Sequence, residues 1–225
     1  GPMTSTDAIA EQHGITGHVA DGFAAVAEAF AENFTAGAEV GAGCAVYVDG
    51  EAVVDLTGGV ADAATGRAYD ADTLQLVFST TKGIAAIAVH LLAQRGEIDL
   101  DALVTDYWPE FAAAGKDATT VSMVLDHQAG LSVVNPPVTF DDVVAITPVV
   151  DALAAQEPLW TPGEAHGYHA VTYGWLVGEV VRRATGRSIG TVIAEELSAP
   201  LGLDLWVGLP EDHYARVAPL IAARP

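Results

Sequence analysis

LVFSTTKGIAAIAVHLL, Leu76 to Leu92, sets a serine and a lysine three positions apart at the head of an apolar run. The chain carries nine Lys and Arg against thirty Asp and Glu, a formal charge of -21 over 225 residues. A lysine beside a hydroxyl, just before an Ala/Ile/Leu stretch, therefore calls for a reason. If a helix begins near Ser79, the side chains of Ser79 and Lys82 share one face. A serine hydroxyl is a weak nucleophile until a base takes its proton. A lysine amine can be that base where its ammonium is disfavoured, and a buried helix start disfavours it twice, by desolvation and by the positive end of the helix dipole. Backbone N–H groups at such a terminus can also face an oxyanion. The alternative is an N-cap serine followed by a surface lysine.

The rest of the composition narrows the class. Hydrophobic residues make up 51% and charged residues 17%, as in a globular protein with a sizeable core. The acidic balance argues against nucleic acid and against anionic membrane surfaces as partners. No apolar run is long enough to span a bilayer, and the start GPMTSTDAIAEQ lacks the basic and apolar regions of a secretory signal. Gly1-Pro2 ahead of Met3 resembles a tag-cleavage scar and is set aside. The single cysteine, Cys44, excludes an internal disulfide and suits a reducing compartment, so a cytoplasmic location is expected. Cys44 reads as a buried strand thiol. No H-E-x-x-H or Cys/His cluster is present, so no metal site is expected.

Along the chain, residues 15–34 carry apolar positions at helical spacing and predict an amphipathic helix. GCAVYVDGEAVVDLTGGVAD places two strand-like runs around Asp49-Gly50, a strong hairpin signal. Leu74 to Phe78 reads as a short extended approach. Ser79 to Gln94 reads as a helix stopped by Gly96. Helices are then predicted over Val121–Asp126, over Phe140–Gln156 with a break at Pro148, over Val171–Thr185 and over Ser188–Leu197. GRSIG, Gly186 to Gly190, matches the G-x-S-x-G elbow pattern, but a helix precedes it where the elbow needs a strand. Gly186 reads better as a helix stop and Ser188 as the next N-cap.

FSTTKG followed by AAIAVHLLAQRGEIDLDALVTDYWPEF strongly resembles the nucleophile helix and following segment of the serine β-lactamase and penicillin-binding-protein superfamily. In particular it is similar to class C β-lactamases and family VIII carboxylesterases. VLDHQAGL is similar to that superfamily's turn after the next helix. WTPGEAHGYHAVTYGWLVGEVVRRATG is similar to the segment carrying its second motif, Tyr-x-Asn or a variant. The resemblance runs from about Ala45 to Leu203.

The resemblance implies that Ser79 is the acylated nucleophile, Lys82 its proton partner and Tyr168 the phenol that serves as general base or relay. It implies no cofactor. Ala170 stands where the motif has Asn, and a methyl group cannot bond a substrate amide, so β-lactam hydrolysis is disfavoured against ester cleavage. His166 and His169 flank Tyr168 and read as structural or solvent-facing, and His127 as a residue bonding loop backbone. The third motif, K-T-G or W-x-G on a late strand, has no match.

The fold expected is α+β: an antiparallel sheet flanked by helices, with a mostly helical subdomain. Residues 3–225 would form the N-terminal portion of one β-lactamase-like catalytic domain, with about 15–78 the helix and start of the sheet and about 79–203 the helical region. The chain is then an incomplete fold, and a second chain or C-terminal fragment would complete it. The function expected is a serine carboxylesterase acting on small esters through an acyl-enzyme. A β-lactamase or D,D-peptidase, an acyltransferase and an inactive binding relative are the alternatives.

Overall fold

The structure is a computed structural model that describes residues 5–37 and 39–223. Gly1-Pro2 and Arg224-Pro225 lie outside the described residues. Two compact units divide the chain: residues up to Leu76 together with those from Pro210 onward, and Val77–Leu209.

The first unit contains α1 (Ser5–His13), β1 (Thr16–Val19), α2 (Ala24–Thr35), β2 (Gly41–Val48), β3 (Glu51–Asp62) and β4 (Arg67–Ala68). The Asp-Gly hairpin forms as expected. Val48 pairs with Glu51, and Asp49 and Gly50 both take positive φ, 49° and 80°. That two-residue turn matches the right-handed twist of the flanking strands. The hairpin is not two-stranded. These strands pair antiparallel, with order β1-β3-β2 and β4 on the far end of β3. The long β3 alternates its burial, and Val54 and Leu56 pack with Phe30 and Phe34 of α2. Cys44 is a partly buried strand residue against the same cluster.

The helix predicted over residues 15–34 is corrected: it begins only at Ala24, and its first turns are strand β1. Gly17 explains the difference. It has φ +112°, and a Cβ there would lie 1.9 Å from the Asp55 carbonyl oxygen. The chain passes so close to β3 that only glycine fits, a demand imposed by the neighbouring strand rather than by local sequence.

The second unit is helical: α3 (Thr80–Gln94), α4 (Val104–Tyr107), a 3₁₀ segment (Pro109–Gly115), α5 (Val121–Leu125), α6 (Phe140–Ala145), α7 (Thr147–Ala155), α8 (Tyr173–Thr185), α9 (Ile189–Ile193), a widened turn over Ala194–Ser198 and α10 (Ala199–Leu201). One continuous core joins them. It includes Ala88, Val89 and Leu92 of α3, Leu153 of α7, Leu176 and Val180 of α8 and Ile193 of α9. The opposite side of α3 is open among the described residues, with Ile87 53% exposed.

The break expected at Pro148 falls two residues earlier. Ile146 takes φ +66° between α6 and α7, and Pro148 sits in the first turn of α7. There its missing N–H costs nothing. Gly186 ends α8 in the left-handed conformation, and Ser188 caps α9 by accepting the Thr191 N–H at 3.1 Å. GRSIG is thus a stop followed by a cap. No described helix is long and apolar enough to cross a membrane, and no cluster of metal-ligating side chains exists among the described residues.

Candidate active site

Local geometry puts Ser79 where it is. Phe78, immediately before it, has φ +45°, a conformation that costs a non-glycine residue about 1–2 kcal/mol. Three successive tight bonds then start the helix: Thr80 N–H to the Val77 carbonyl, Thr81 N–H to that of Phe78 and Lys82 N–H to that of Ser79, at 3.1, 3.1 and 3.0 Å. Ser79 itself is in the right-handed helical region and its hydroxyl does not cap the helix. An N-cap serine would have extended backbone and accept an N–H two or three residues on. The cap alternative is therefore excluded. The Ser79 N–H has no acceptor among the described residues, which leaves it able to donate outward.

The hydroxyl instead meets the lysine. Lys82 Nζ donates to Ser79 Oγ at 2.9 Å and to the Ala170 carbonyl at 2.7 Å. The same Nζ stands 4.9 Å from the centre of the Tyr168 ring. Hydrogen bonds from Ser79 and then Lys82 hold the Tyr168 phenol below its ordinary value of 10.0. Both partners favour the phenolate, one by donating to it and one also by its positive charge. All three residues expected from the sequence are thus brought together. The expected burial of the helix start is not found: Ser79 is exposed and Lys82 half-buried among the described residues.

Ala170 contributes through its backbone. The Asn of the motif would offer an amide side chain here, whereas Ala170 presents its carbonyl to Lys82 and has no polar side chain to offer. That cleft, of about 200 Å³, is lined by Lys82, Ala170, Val171, Tyr173 and Gly174 among others, and its walls are mainly apolar. Of the aromatic residues near the second motif, Tyr173 borders the cleft, while Trp160 donates its indole N–H to the Gln128 carbonyl at 3.2 Å.

Two histidines expected only as structural residues form the support of this turn. His169 is buried, 1% exposed, and His127 accepts the His169 backbone N–H on Nδ1 at 2.9 Å. Burial lowers the pKa of both rings. His166 is exposed. Nothing in the sequence flagged Phe78, because phenylalanine is not a residue that left-handed backbone selects.

A family model described as Beta-lactamase matches residues 26–224. The chain is 42% identical over 201 residues to Esterase/beta-lactamase LipL of Mycobacterium tuberculosis, covering 88% of this chain and 46% of that protein. A solved family VIII carboxylesterase superimposes with TM-score 0.88 and 47% identity, over 92% of this chain and 57% of its own. A penicillin-binding protein homolog from Caulobacter crescentus gives TM-score 0.87 and 48% identity, over 92% and 56%. The chain spans about half the length of the relatives it matches. With a lysine amine bonded to a helix-start serine and a tyrosine phenol beside both, and with that match over most of its length, the chain belongs to the beta-lactamase family.

Proposed function

We propose that this chain carries the acylating residues of a serine hydrolase that cleaves carboxylic esters. The observation that carries the proposal is Lys82 Nζ, held between Ser79 Oγ and the Ala170 carbonyl beside the Tyr168 phenol. Tyr168, as phenolate, takes the Ser79 proton while Oγ attacks the ester carbonyl carbon. The Lys82 ammonium stabilises the phenolate, and the Ser79 N–H donates to the developing oxyanion. The Tyr168 phenol then returns its proton to the departing alkoxide, leaving an acyl-Ser79 ester and a free alcohol. Water, deprotonated by the same phenolate, attacks the acyl carbon, and the phenol gives that proton to Ser79 Oγ as the C–Oγ bond breaks and the carboxylic acid leaves. A second oxyanion donor is proposed to come from a strand carried by a second chain or C-terminal fragment.

Ala170 favours an ester over a β-lactam, because its methyl group offers an amide nothing to bond. The names of two relatives keep β-lactam chemistry in view as a second reading: Esterase/beta-lactamase LipL, and Penicillin-binding protein 4 of Amycolatopsis lactamdurans at 31% identity. Parallel assays with p-nitrophenyl butyrate and nitrocefin, on this chain together with the second chain or C-terminal fragment, decide between them. Ester turnover that vanishes in Ser79→Ala, with weak or absent nitrocefin turnover, supports the esterase. Faster turnover of nitrocefin than of the ester overturns it.

A further inference from the structure

His127 takes no part in the proposed chemistry, yet its backbone has φ +65°, a conformation costing a non-glycine residue about 1–2 kcal/mol. The strain accompanies a dense set of bonds. The His127 carbonyl accepts the Gly167 N–H at 3.0 Å, and Nδ1 accepts the His169 N–H at 2.9 Å. With Nδ1 an acceptor, the proton of the neutral ring is on Nε2. His169 has the opposite arrangement: Nε2 accepts the Leu131 N–H at 3.0 Å, and Nδ1 donates to the Gly167 carbonyl at 2.6 Å. Thr172 Oγ1 then donates to the Leu131 carbonyl at 2.7 Å. The loop 127–131 therefore grips the chain on both sides of Tyr168, at Gly167, His169 and Thr172.

Tyr168 itself is 57% exposed, so few contacts fix its ring. One of them is the His127 imidazole, 5.0 Å away between centres and tilted by 51°. That imidazole is in turn stacked on the buried Tyr173 ring at 5.0 Å and 29°. The ring pile runs from the core, through His127, to the phenol beside Ser79 and Lys82. Burial, His169 and Lys82 lower the His127 pKa, with Asp126 opposing and His166 adding to the effect. A neutral ring can lie close to the Lys82 ammonium without repelling it.

We propose that His127 is a positioning residue whose imidazole, tied to the His169 backbone, is the platform that holds the Tyr168 phenol against Ser79 and Lys82. This rests on Tyr168 being the proton carrier, and the test separates the two claims. His127→Asn keeps an oxygen acceptor for the His169 N–H and tolerates positive φ, but removes the ring. In the whole protein, with the second chain or C-terminal fragment present, its Tm should stay near that of the parent, while kcat for p-nitrophenyl butyrate falls by about 10–100-fold with KM little changed. The rising limb of the pH–rate profile should move to higher pH, because a phenol that drifts from Ser79 and Lys82 regains its ordinary acidity. In a Tyr168→Phe background the same substitution should add almost nothing.

Equal losses in both backgrounds, or an unmoved limb in His127→Asn, would show that His127 does not act through Tyr168. Near-normal turnover by Tyr168→Phe alone would instead remove Tyr168 from the mechanism, and this inference with it. His127→Phe keeps a ring but orphans the His169 N–H, so it should lower Tm and leave the limb in place. Should His127→Asn not fold, His127→Gly, which takes positive φ without strain and removes the ring, decides: a limb moved to higher pH supports the platform and an unmoved one overturns it.

Discussion

Lys82 on α3 donates to the backbone carbonyl of Ala170, 88 positions later, at 2.7 Å. This bond ties the start of the nucleophile helix to the turn that presents Tyr168. It also fixes the amine on Ser79 Oγ, since one Nζ makes both bonds. Such a geometry needs a compact donor on a flexible stem. A planar, bulkier guanidinium places its N–H groups differently and cannot make both bonds from one atom. Lys82→Arg should therefore lose about 10²–10⁴-fold in ester turnover. Steady-state assays with p-nitrophenyl butyrate check this, and near-parental kcat would take Lys82 out of the mechanism. Ser188→Ala is the control: it leaves turnover unchanged and costs about 1 kcal/mol of helix capping.

Tyr168 supplies a pH signature. Bonds from Ser79 and Lys82 lower its pKa from 10.0, and the proposed mechanism uses the phenolate. Turnover should rise with pH through that lowered value and level off before pH 10.0 is reached. Tyr168→Phe should remove the limb together with most of the rate. A profile whose limb survives this substitution would assign the limb to another group.

Phe78 carries strain beside the nucleophile, with φ +45° and a side chain 65% exposed. Phe78→Gly should gain stability, by about 1 kcal/mol once glycine's extra unfolded-state freedom is subtracted. Turnover should fall, because the residue that aims Ser79 becomes free to rotate. Thermal melts and ester assays on the same variant test the trade. A loss of stability would show that the conformation is not strained.

The two histidines supporting Tyr168 should make folding sensitive to acid. Burial holds His127 and His169 below the usual 6.5, so the unfolded chain takes up these protons at higher pH than the folded one. Their contribution is complete above about pH 6.5 and is lost as pH falls through the folded-state values. Urea midpoints measured between pH 7 and pH 5, about the range of histidine titration, should fall with pH. The slope should be shallower in His127→Asn.

Lys116 is fully buried, with Nζ donating to the carbonyls of Ala113 and Gln156 and standing 5.3 Å from the centre of the Phe111 ring. Its partners are carbonyl dipoles and a ring. Lys116→Met keeps most of the volume but strands two carbonyls, and each buried unsatisfied group costs about 1–3 kcal/mol. Denaturant unfolding should show a lower midpoint at unchanged m-value, while the ester KM stays at the parental value. An unchanged midpoint would mean that water reaches those carbonyls.

By itself the sequence determined the hairpin, the two long helices α3 and α8, and the serine–lysine pair. Each depends on residues within a few positions: Asp49-Gly50 closes a turn, apolar spacing marks a helix, and Ser79 and Lys82 lie one turn apart. Tyr168 was legible only through resemblance, since a tyrosine in a loop carries no local signal. Tertiary structure decided what depends on distant neighbours. It turned residues 16–19 into a strand by placing Gly17 against Asp55. It accompanies the positive φ of His127 with bonds to Gly167 and His169, and it set the Ala170 carbonyl on Lys82 and the His127 ring under Tyr168. The Gly17–Asp55 approach, the bonds of His127 and Leu131 to His169 and the Lys82–Ala170 bond join positions 38 to 88 apart, and no window of local sequence encodes them.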